Sequence, residues 1–332
     1  MKSIILSFLL LINLPIFAVN KYWTGAHNNN WNVNGNWSLT SGGLANTTSP
    51  TATDIVFFDG NGNINCNINS NANVNGFKKV NMGDPGPAQG VINSVDDARK
   101  AVRQRYKNGA DLIKITATGG VLSVSKNGDN PQFRQEEVDE IVRTAKEYGM
   151  HVAAHAHGKE GMQRAILGGV KTIEHGTYMS NATMDLMKKH DVYLVPTITA
   201  GKEVEEKAKI EGFYPDIIIP KALAVGPKIQ GTFGKAYKKG VGIAFGTDAG
   251  VFKHGVNGKE FGFMVEAGMP AMKTIQSATI TNAMLLKMEN EIGQVKKGFF
   301  ADIIAVNENP NKNISTMENV VFVMKSGVVY KR

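Results

Sequence analysis

The sequence predicts an α/β fold: a parallel sheet with helical crossovers, preceded by an Asn-rich β segment and followed by a small antiparallel β module. Three observations carry this. Of 332 residues, 42% are apolar and 20% charged, enough for a sizeable core in one large domain or two ordinary ones. From about residue 90, short apolar runs alternate with stretches whose apolar residues recur every third or fourth position, so strand and helix take turns. Before residue 77, apolar and Asn residues alternate with period two, the spacing of strands.

The elements follow in order. Lys2 and the nearly unbroken apolar run Ile4 to Phe17, with the small Ala18, read as a secretory signal peptide over residues 1–18. That run is shorter than the roughly 18 residues a membrane span needs, and no later run reaches it. A mature chain starting near Val19 and secreted, periplasmic or held at the cell surface is expected. The single Cys66 excludes an internal disulfide framework and any multi-cysteine zinc site. A net charge of +8, with no basic block or interleaved aromatic stripe, gives no reason to expect nucleic acid as a partner.

Residues 19–84 are read as one Asn/Trp-rich segment. Asn61, Asn63, Asn65, Asn67, Asn69, Asn71, Asn73 and Asn75 face one way and Ile64, Cys66, Ile68, Ala72 and Val74 the other. Trp23, Trp31 and Trp37 are expected packing points of short strands, and Asp54 to Asp59 a buried strand ending at Gly60. Asn36 and Asn46 stand in Asn-X-Ser/Thr sequons, and His27 reads as a surface loop residue. The segment resembles the β-repeats of bacterial surface and secreted proteins.

Helices are expected at Val95 to Lys107, Arg134 to Tyr148, Lys159 to Leu167, Ala182 to Lys189, within 216–239, and at Ala271 to Lys287. Strands are expected at Asp111 to Ala117, His151 to His157, Lys171 to His175, Val192 to Pro196 and Val241 to Thr247. The tail reads as three short strands, 302–306, 320–324 and 328–330.

The polar residues on those strands suggest a site. Lys114 shares a face with Leu112 and Thr116, opposite Ile113 and Ile115; it must be paired or neutralised there, unless this is an edge strand open to solvent. His151, His155 and His157 share a face of the next strand, His175 ends the third and Asp248 the last. Side chains at strand C-termini are where parallel α/β folds bind and react, and nitrogen and oxygen donors of this kind suit Zn²⁺ or a similar divalent ion.

Four ordered motifs then resemble the amidohydrolase superfamily, nearest its Xaa-Pro dipeptidase (prolidase) and imidazolonepropionase-related branch: Asp111-Leu-Ile-Lys-Ile-Thr-Ala-Thr-Gly-Gly-Val121, His151-Val-Ala-Ala-His-Ala-His-Gly158, Thr172-Ile-Glu-His-Gly-Thr177 and Phe245-Gly-Thr-Asp248. The stretch 293–304 matches the return from that family's barrel to its β-sandwich. The resemblance covers about 85–332 and divides it into a barrel portion, 85–292, and a sandwich portion, 293–332. It implies a partial (β/α)8 TIM-type barrel with strands equivalent to the fourth to eighth, holding one or two divalent ions. It further implies Lys114 carboxylated by CO₂ to a carbamate ligand, His155 and His175 on the same metal, and Asp248 as ligand and proton shuttle. His157 would line the pocket and assist catalysis.

The family's His-x-His at the end of its first barrel strand has no counterpart before Lys114. Three readings follow. One is a secreted metal-dependent hydrolase cleaving the amide of an Xaa-Pro dipeptide or N-acyl amino acid. The second is a catalytically inactive surface protein carrying a truncated barrel, and the third a cyclic-imide or lactone hydrolase on the same scaffold. Lys126, Arg134, Lys253 and Lys259 are candidates for a substrate carboxylate but read better as solvated charges, and Tyr178 as a packing residue. An unclosed sheet edge would invite pairing with a second copy.

Overall fold

The computed structural model describes residues 20–23, 37–39, 55–57, 76–78, 89–123 and 125–332, and the chain divides into two units, Met1–Pro85 and Gly86–Arg332. In the first unit β1 (Asn20–Trp23) pairs antiparallel with β2 (Trp37–Ser38), placing Trp23 opposite Trp37. β3 (Ile55–Phe57) and β4 (Gly76–Lys78) extend the sheet in parallel, in the order β2-β1-β3-β4. Trp37 is fully buried, and β3 falls inside the expected 54–59 strand. The expected signal peptide, His27, Trp31, the sequons at Asn36 and Asn46 and the Asn alternation of 61–75 lie outside the described residues.

The second unit opens with α1 (Val95–Lys107). Ser94 caps it by accepting from Asp97 N at 3.1 Å, and acidic residues lead while basic ones close, as the helix dipole favours. Chain order then alternates β5 (Ile113–Thr116), α2 (Gln135–Glu147), β6 (Val152–Ala156), α3 (Lys159–Gly168), β7 (Thr172–His175), α4 (Asn181–Lys189) and β8 (Tyr193–Val195). The strands form one parallel sheet ordered β5-β6-β7-β8. Ile113, Ile115, Val152, Ala154, Ile173 and Leu194 bury one sheet face against Val138, Ile141, Met162, Ile166, Met184 and Met187 of the helices. The opposite face carries Lys114, Thr116, His155 and Glu174, the alternation the sequence predicts for β5.

α5 (Ile198–Ala208), α6 (Ile219–Lys238) and α7 (Lys259–Glu266) follow. Then come α8 (Ala271–Gln276), a π-helical turn (Ser277–Thr281) and α9 (Asn282–Leu285). A three-stranded antiparallel sheet, β9 (Ile303–Ala305), β10 (Phe322–Lys325) and β11 (Val328–Lys331), ends the chain in the order β11-β10-β9, as expected from the tail. Among the described residues no helix is long and apolar enough to cross a membrane.

Three expectations need correction. The strand 241–247 is reduced to a single parallel bridge at Ile243, where Leu194 N donates to Gly242 O at 2.8 Å and Ala244 N to Leu194 O at 2.9 Å. Its glycines explain this: a Cβ on Gly242 would sit 2.9 Å from the Tyr193 ring, and one on Gly246 2.4 Å from Val195 Cγ1. They let the segment pass over inward-facing side chains at the cost of regular pairing. The expected helix 271–287 is broken by the π-helical turn. α5 and α7 were not expected at all. The parallel α/β sheet is consistent with a TIM-type barrel, and among the described residues β5 is an edge that pairs only with β6.

Candidate metal centre

β6, β7 and β8 end at one level, and the turns that follow them aim side chains at a common point. His155 lies in β6, His157 one residue past its end, and His175 closes β7. Their rings pack with centroids 4.6 to 4.8 Å apart, those of His157 and His175 stacked at 14°. One ring nitrogen from each lies within 4.8 Å of the others.

Each ring is tethered through one nitrogen. His157 Nδ1 is 2.9 Å from Thr177 Oγ1, His175 Nδ1 is 2.6 Å from Thr197 Oγ1, and His155 Nε2 is 3.2 Å from Gly119 O. Thr118 Oγ1 adds an anchor by accepting from His157 N at 3.0 Å. Protons on the tethered nitrogens would leave the remaining lone pairs for a ligand.

Electrostatics agree. Burial pushes all three imidazoles below the usual histidine range, His157 to about 3 and His175 well down, with neighbouring rings adding to both; Lys114 adds to His155 and His175. The cluster is therefore neutral at neutral pH, a set of convergent nitrogen lone pairs. That donor set fits a divalent ion of the zinc kind, and three protein ligands leave an open position.

The backbone is strained at this spot. Of six described non-glycine residues with positive φ, His175 (71°), Thr197 (50°) and Asp248 (55°) stand here. Such conformations persist where surrounding contacts over-determine them.

The cluster opens into a cavity of about 210 Å³ whose apolar wall includes Val121, Leu122, Val204, Val225, Ile229 and Val251. Asp248 stands at its solvent-open rim; desolvation on the cavity side pushes its carboxyl up, Lys114 offsetting part of this and Glu174 adding to it. Lys114 Nζ pairs with Glu174 Oε2, whose other oxygen accepts from Thr172 Oγ1 at 2.5 Å. Lys114, on a strand that is an edge among the described residues, is half exposed yet paired.

Of the residues singled out from sequence, the structure gathers His155, His157, His175 and Asp248 around one cavity and ties Lys114 to Glu174 beside it. His157, expected to line the pocket and assist catalysis, stands in the three-imidazole cluster. His151, on the same face of β6, lies instead at the opposite end, in a second cavity with Lys146, Lys171 and Lys287. Tyr178 and Lys126 line a third cavity, which shares His157 with the first; Lys228 lies 4.9 Å from the centre of the Tyr178 ring. Arg134, Lys253 and Lys259 are exposed.

Glu260 was missed. It is fully buried in the first turn of α7, its Oε1 accepting from Ile198 N at 2.8 Å and its Oε2 from Thr199 N at 2.7 Å and Thr199 Oγ1 at 2.6 Å. Burial pushes it up to about 7 despite those bonds. Thr177 and Thr197 were also missed; only their nearness to His175 and to the end of the Val192–Pro196 run could have flagged them.

Histidines and a carboxylate gathered at the C-termini of a parallel sheet define an α/β protein built around a metal site. The chain matches the amidohydrolase family over residues 50–330, and it belongs to that family. A crystal structure of a Xaa-Pro dipeptidase with methionine bound in its active site is 59% identical, with a TM-score of 0.73 over 78% of this chain and 64% of that one. Ochratoxinase of Aspergillus niger is 33% identical over 246 residues, 73% of this chain and 50% of that protein. A crystal structure of a prolidase complexed with N-methylphosphonate-L-proline is 29% identical, with a TM-score of 0.66 over 73% of this chain and 60% of that one. The chain thus spans about half the length of ochratoxinase and under two thirds of the dipeptidase chain.

Proposed function

We propose that this chain is a metal-dependent hydrolase of amide bonds, acting outside the cytoplasm on Xaa-Pro dipeptides or N-acyl amino acids. The observation that carries this is the convergence of three neutral imidazoles with Asp248 on one apolar cavity. His155, His157 and His175 would hold a divalent ion such as Zn²⁺. A metal there supplies a polarised substrate carbonyl and water that ionises near neutral pH. Asp248, its carboxyl raised by desolvation, accepts the attacking water's proton and returns it to the leaving nitrogen. The apolar wall favours a proline ring or small aliphatic side chain over a charged one.

The role of Lys114 belongs to the same proposal. Carboxylation joins a neutral amine to CO₂ and releases a proton, giving a carbamate ligand. The Glu174 carboxylate holds the competing ammonium form, so a carbamate requires that pair to open. Two dipeptidase-type relatives, at 59% and 29% identity, support the substrate class.

A second reading, a non-catalytic protein, has its own observation: β5 has a strand partner on one side only among the described residues, and Lys114 on it is half exposed. That edge also favours pairing with a second copy of the chain.

The experiment is elemental analysis of the purified chain followed by a panel of Xaa-Pro dipeptides, N-acyl amino acids, cyclic imides and lactones. About one divalent ion per chain and hydrolysis of a dipeptide or N-acyl amino acid, both lost in His157→Ala, is the expected result. A folded, metal-free and inactive chain refutes the proposal, and turnover confined to lactones or imides moves the substrate class. Mass analysis of the exported chain, expected to begin near Val19, tests its location.

A further inference from the structure

The N-terminus of α5 is capped in an unusual way. Thr197 occupies the position where a threonine hydroxyl ordinarily accepts from the helix's first free N–H groups. Here its backbone is left-handed, its side chain makes no capping bond, and its Oγ1 lies 2.6 Å from His175 Nδ1. The free N–H groups are served from elsewhere: Glu260, reaching across from α7, takes those of Ile198 and Thr199 and the Thr199 hydroxyl as well. Without that carboxylate, two buried donors at the start of α5 would be orphaned, and the threonine would be drawn back to the helix.

We infer that Glu260 is a positioning residue for the metal site: by capping α5 in place of Thr197, it frees the Thr197 hydroxyl to hold His175 with its proton on Nδ1 and its Nε2 lone pair toward the cavity.

The same carboxylate joins the two sides of the cavity. α7 is reached through the loop that follows Asp248, and Asn257 in that loop donates from Nδ2 to Thr247 Oγ1 at 3.0 Å while its carbonyl accepts from Glu260 N at 3.3 Å. Glu260 therefore ties the Asp248 loop to the helix that orients His175. A buried carboxylate is an expensive cap, since burial works against its charge more than its three hydrogen bonds support it. Stability alone gives little reason to keep it.

The inference rests on the three-imidazole reading, and the test separates the two. Zn²⁺ affinity is measured by competition with a chelator at pH 7.5 for the wild-type chain, Glu260→Gln, Thr197→Val and the double variant, each shown by circular dichroism to be folded. In parallel, ¹⁵N-histidine spectra of the metal-free chain report which nitrogen of His175 carries the proton. Expected are a 10- to 100-fold weaker Kd in each single variant, a double variant no weaker than the worse single, and loss of the Nδ1–H signal of His175 in both. Thr199→Val, which removes one of the three bonds and leaves the carboxylate, serves if Glu260→Gln does not fold, with a several-fold smaller effect in the same direction. Wild-type affinity and an unchanged His175 signal in a folded Glu260→Gln or Thr199→Val chain overturn the inference, as does multiplication of the two single effects. Absence of Zn²⁺ binding by the wild type overturns the metal site instead, and the histidine spectra still decide the role of Glu260.

Discussion

Gly158, the residue after His157, lies where two backbones nearly touch. Its φ of −82° and ψ of 146° suit any residue, so a substitution there is judged on space alone. An added Cβ would stand 1.9 Å from Asp129 O, 2.6 Å from Asp129 C and 2.8 Å from its Cα. All three atoms are backbone, so no flexible side chain can yield. Ordinary contact begins near 3.4 Å, and Gly158→Ala therefore needs a displacement of about 1.5 Å. The loop that must move is pinned by the Thr118–Pro131 bridge and by the bond from Gln132 N to Ala117 O at 2.9 Å. Overpacking costs about 1–3 kcal/mol, and with no soft neighbour the upper end applies. At roughly 2–4 °C per kcal/mol in a unit of this size, Gly158→Ala should melt about 6–12 °C lower. Gly231→Ala in α6 is the control, because nothing lies within 4 Å of its added Cβ. It should gain about 0.5–1 kcal/mol from helix propensity and melt slightly higher. Thermal unfolding by circular dichroism measures both. A Gly158→Ala chain melting within 1–2 °C of wild type would refute the packing argument. In an active chain the displacement should also cost up to about 100-fold in kcat/KM, since it begins at the residue that follows His157.

Three further outcomes follow from the same geometry. Loading the three-imidazole site with Zn²⁺ at 100 times its Kd should stabilise the fold by about 2.7 kcal/mol, read as a melting rise of about 5–11 °C that a chelator reverses; no shift would count against the site. Thr177→Val, nearly isosteric and fully buried, should orphan His157 Nδ1 and cost about 1–3 kcal/mol in urea unfolding, whereas a neutral result would mean the 2.9 Å contact carries no weight. Glu260 titrates near 7 in the fold against 4.5 ordinarily, so between those pH values the folded chain holds more protons than the unfolded one. Its contribution is therefore fully present below pH 4.5 and is lost as pH rises through 7, by roughly 3 kcal/mol in all. The stability of metal-free wild type relative to Glu260→Gln should fall across that window, and a flat difference would show that the carboxyl titrates normally.

How far the sequence could be read depended on whether one residue had one job. α1 was legible to its ends because Val95, Ala98, Val102 and Tyr106 repeat at helical spacing. α5 was not, and it carries Gly201, a poor helix former, in its interior. In the fold it lets Ile229 of α6 approach, its added Cβ meeting Ile229 Cγ2 at 2.8 Å, so that glycine is a packing device in mid-helix. The same ambiguity hid the weak pairing of 241–247, whose Gly242 and Gly246 serve the space above Tyr193 and Val195. Glu260 carried no pattern: one carboxylate in Lys-Glu-Phe-Gly reads as surface, and only its partners 61 and 62 residues away make it a buried cap.

The site was legible where its residues share a strand face and illegible where chemistry depends on a distant partner. His155 and His157 are two apart on one strand face, but the register pairs His175 with Ala156 and puts Glu174 beside His155, so it is the left-handed backbone at His175 that turns its ring to the cluster. What places His157 lies outside β6, in Thr118 on its backbone and Thr177 on its ring, partners that the spacing along one strand does not show. Lys114 shows the same limit from the other side. Burial logic demanded a partner or a neutral form, and the fold supplies the partner, Glu174, 60 residues on. An ammonium held by a carboxylate and a carbamate are alternative answers to one electrostatic problem, and they make opposite demands on Glu174. Glu174→Gln should weaken the hold on the ammonium and remove a competing negative charge beside any carbamate. If Lys114 is carboxylated, this variant should bind CO₂ on Lys114 more readily than wild type, read as ¹³C-carbamate signal after bicarbonate labelling. An unchanged or weaker signal would leave Lys114 as the ion-pair partner of Glu174, and the three imidazoles as the metal's protein ligands.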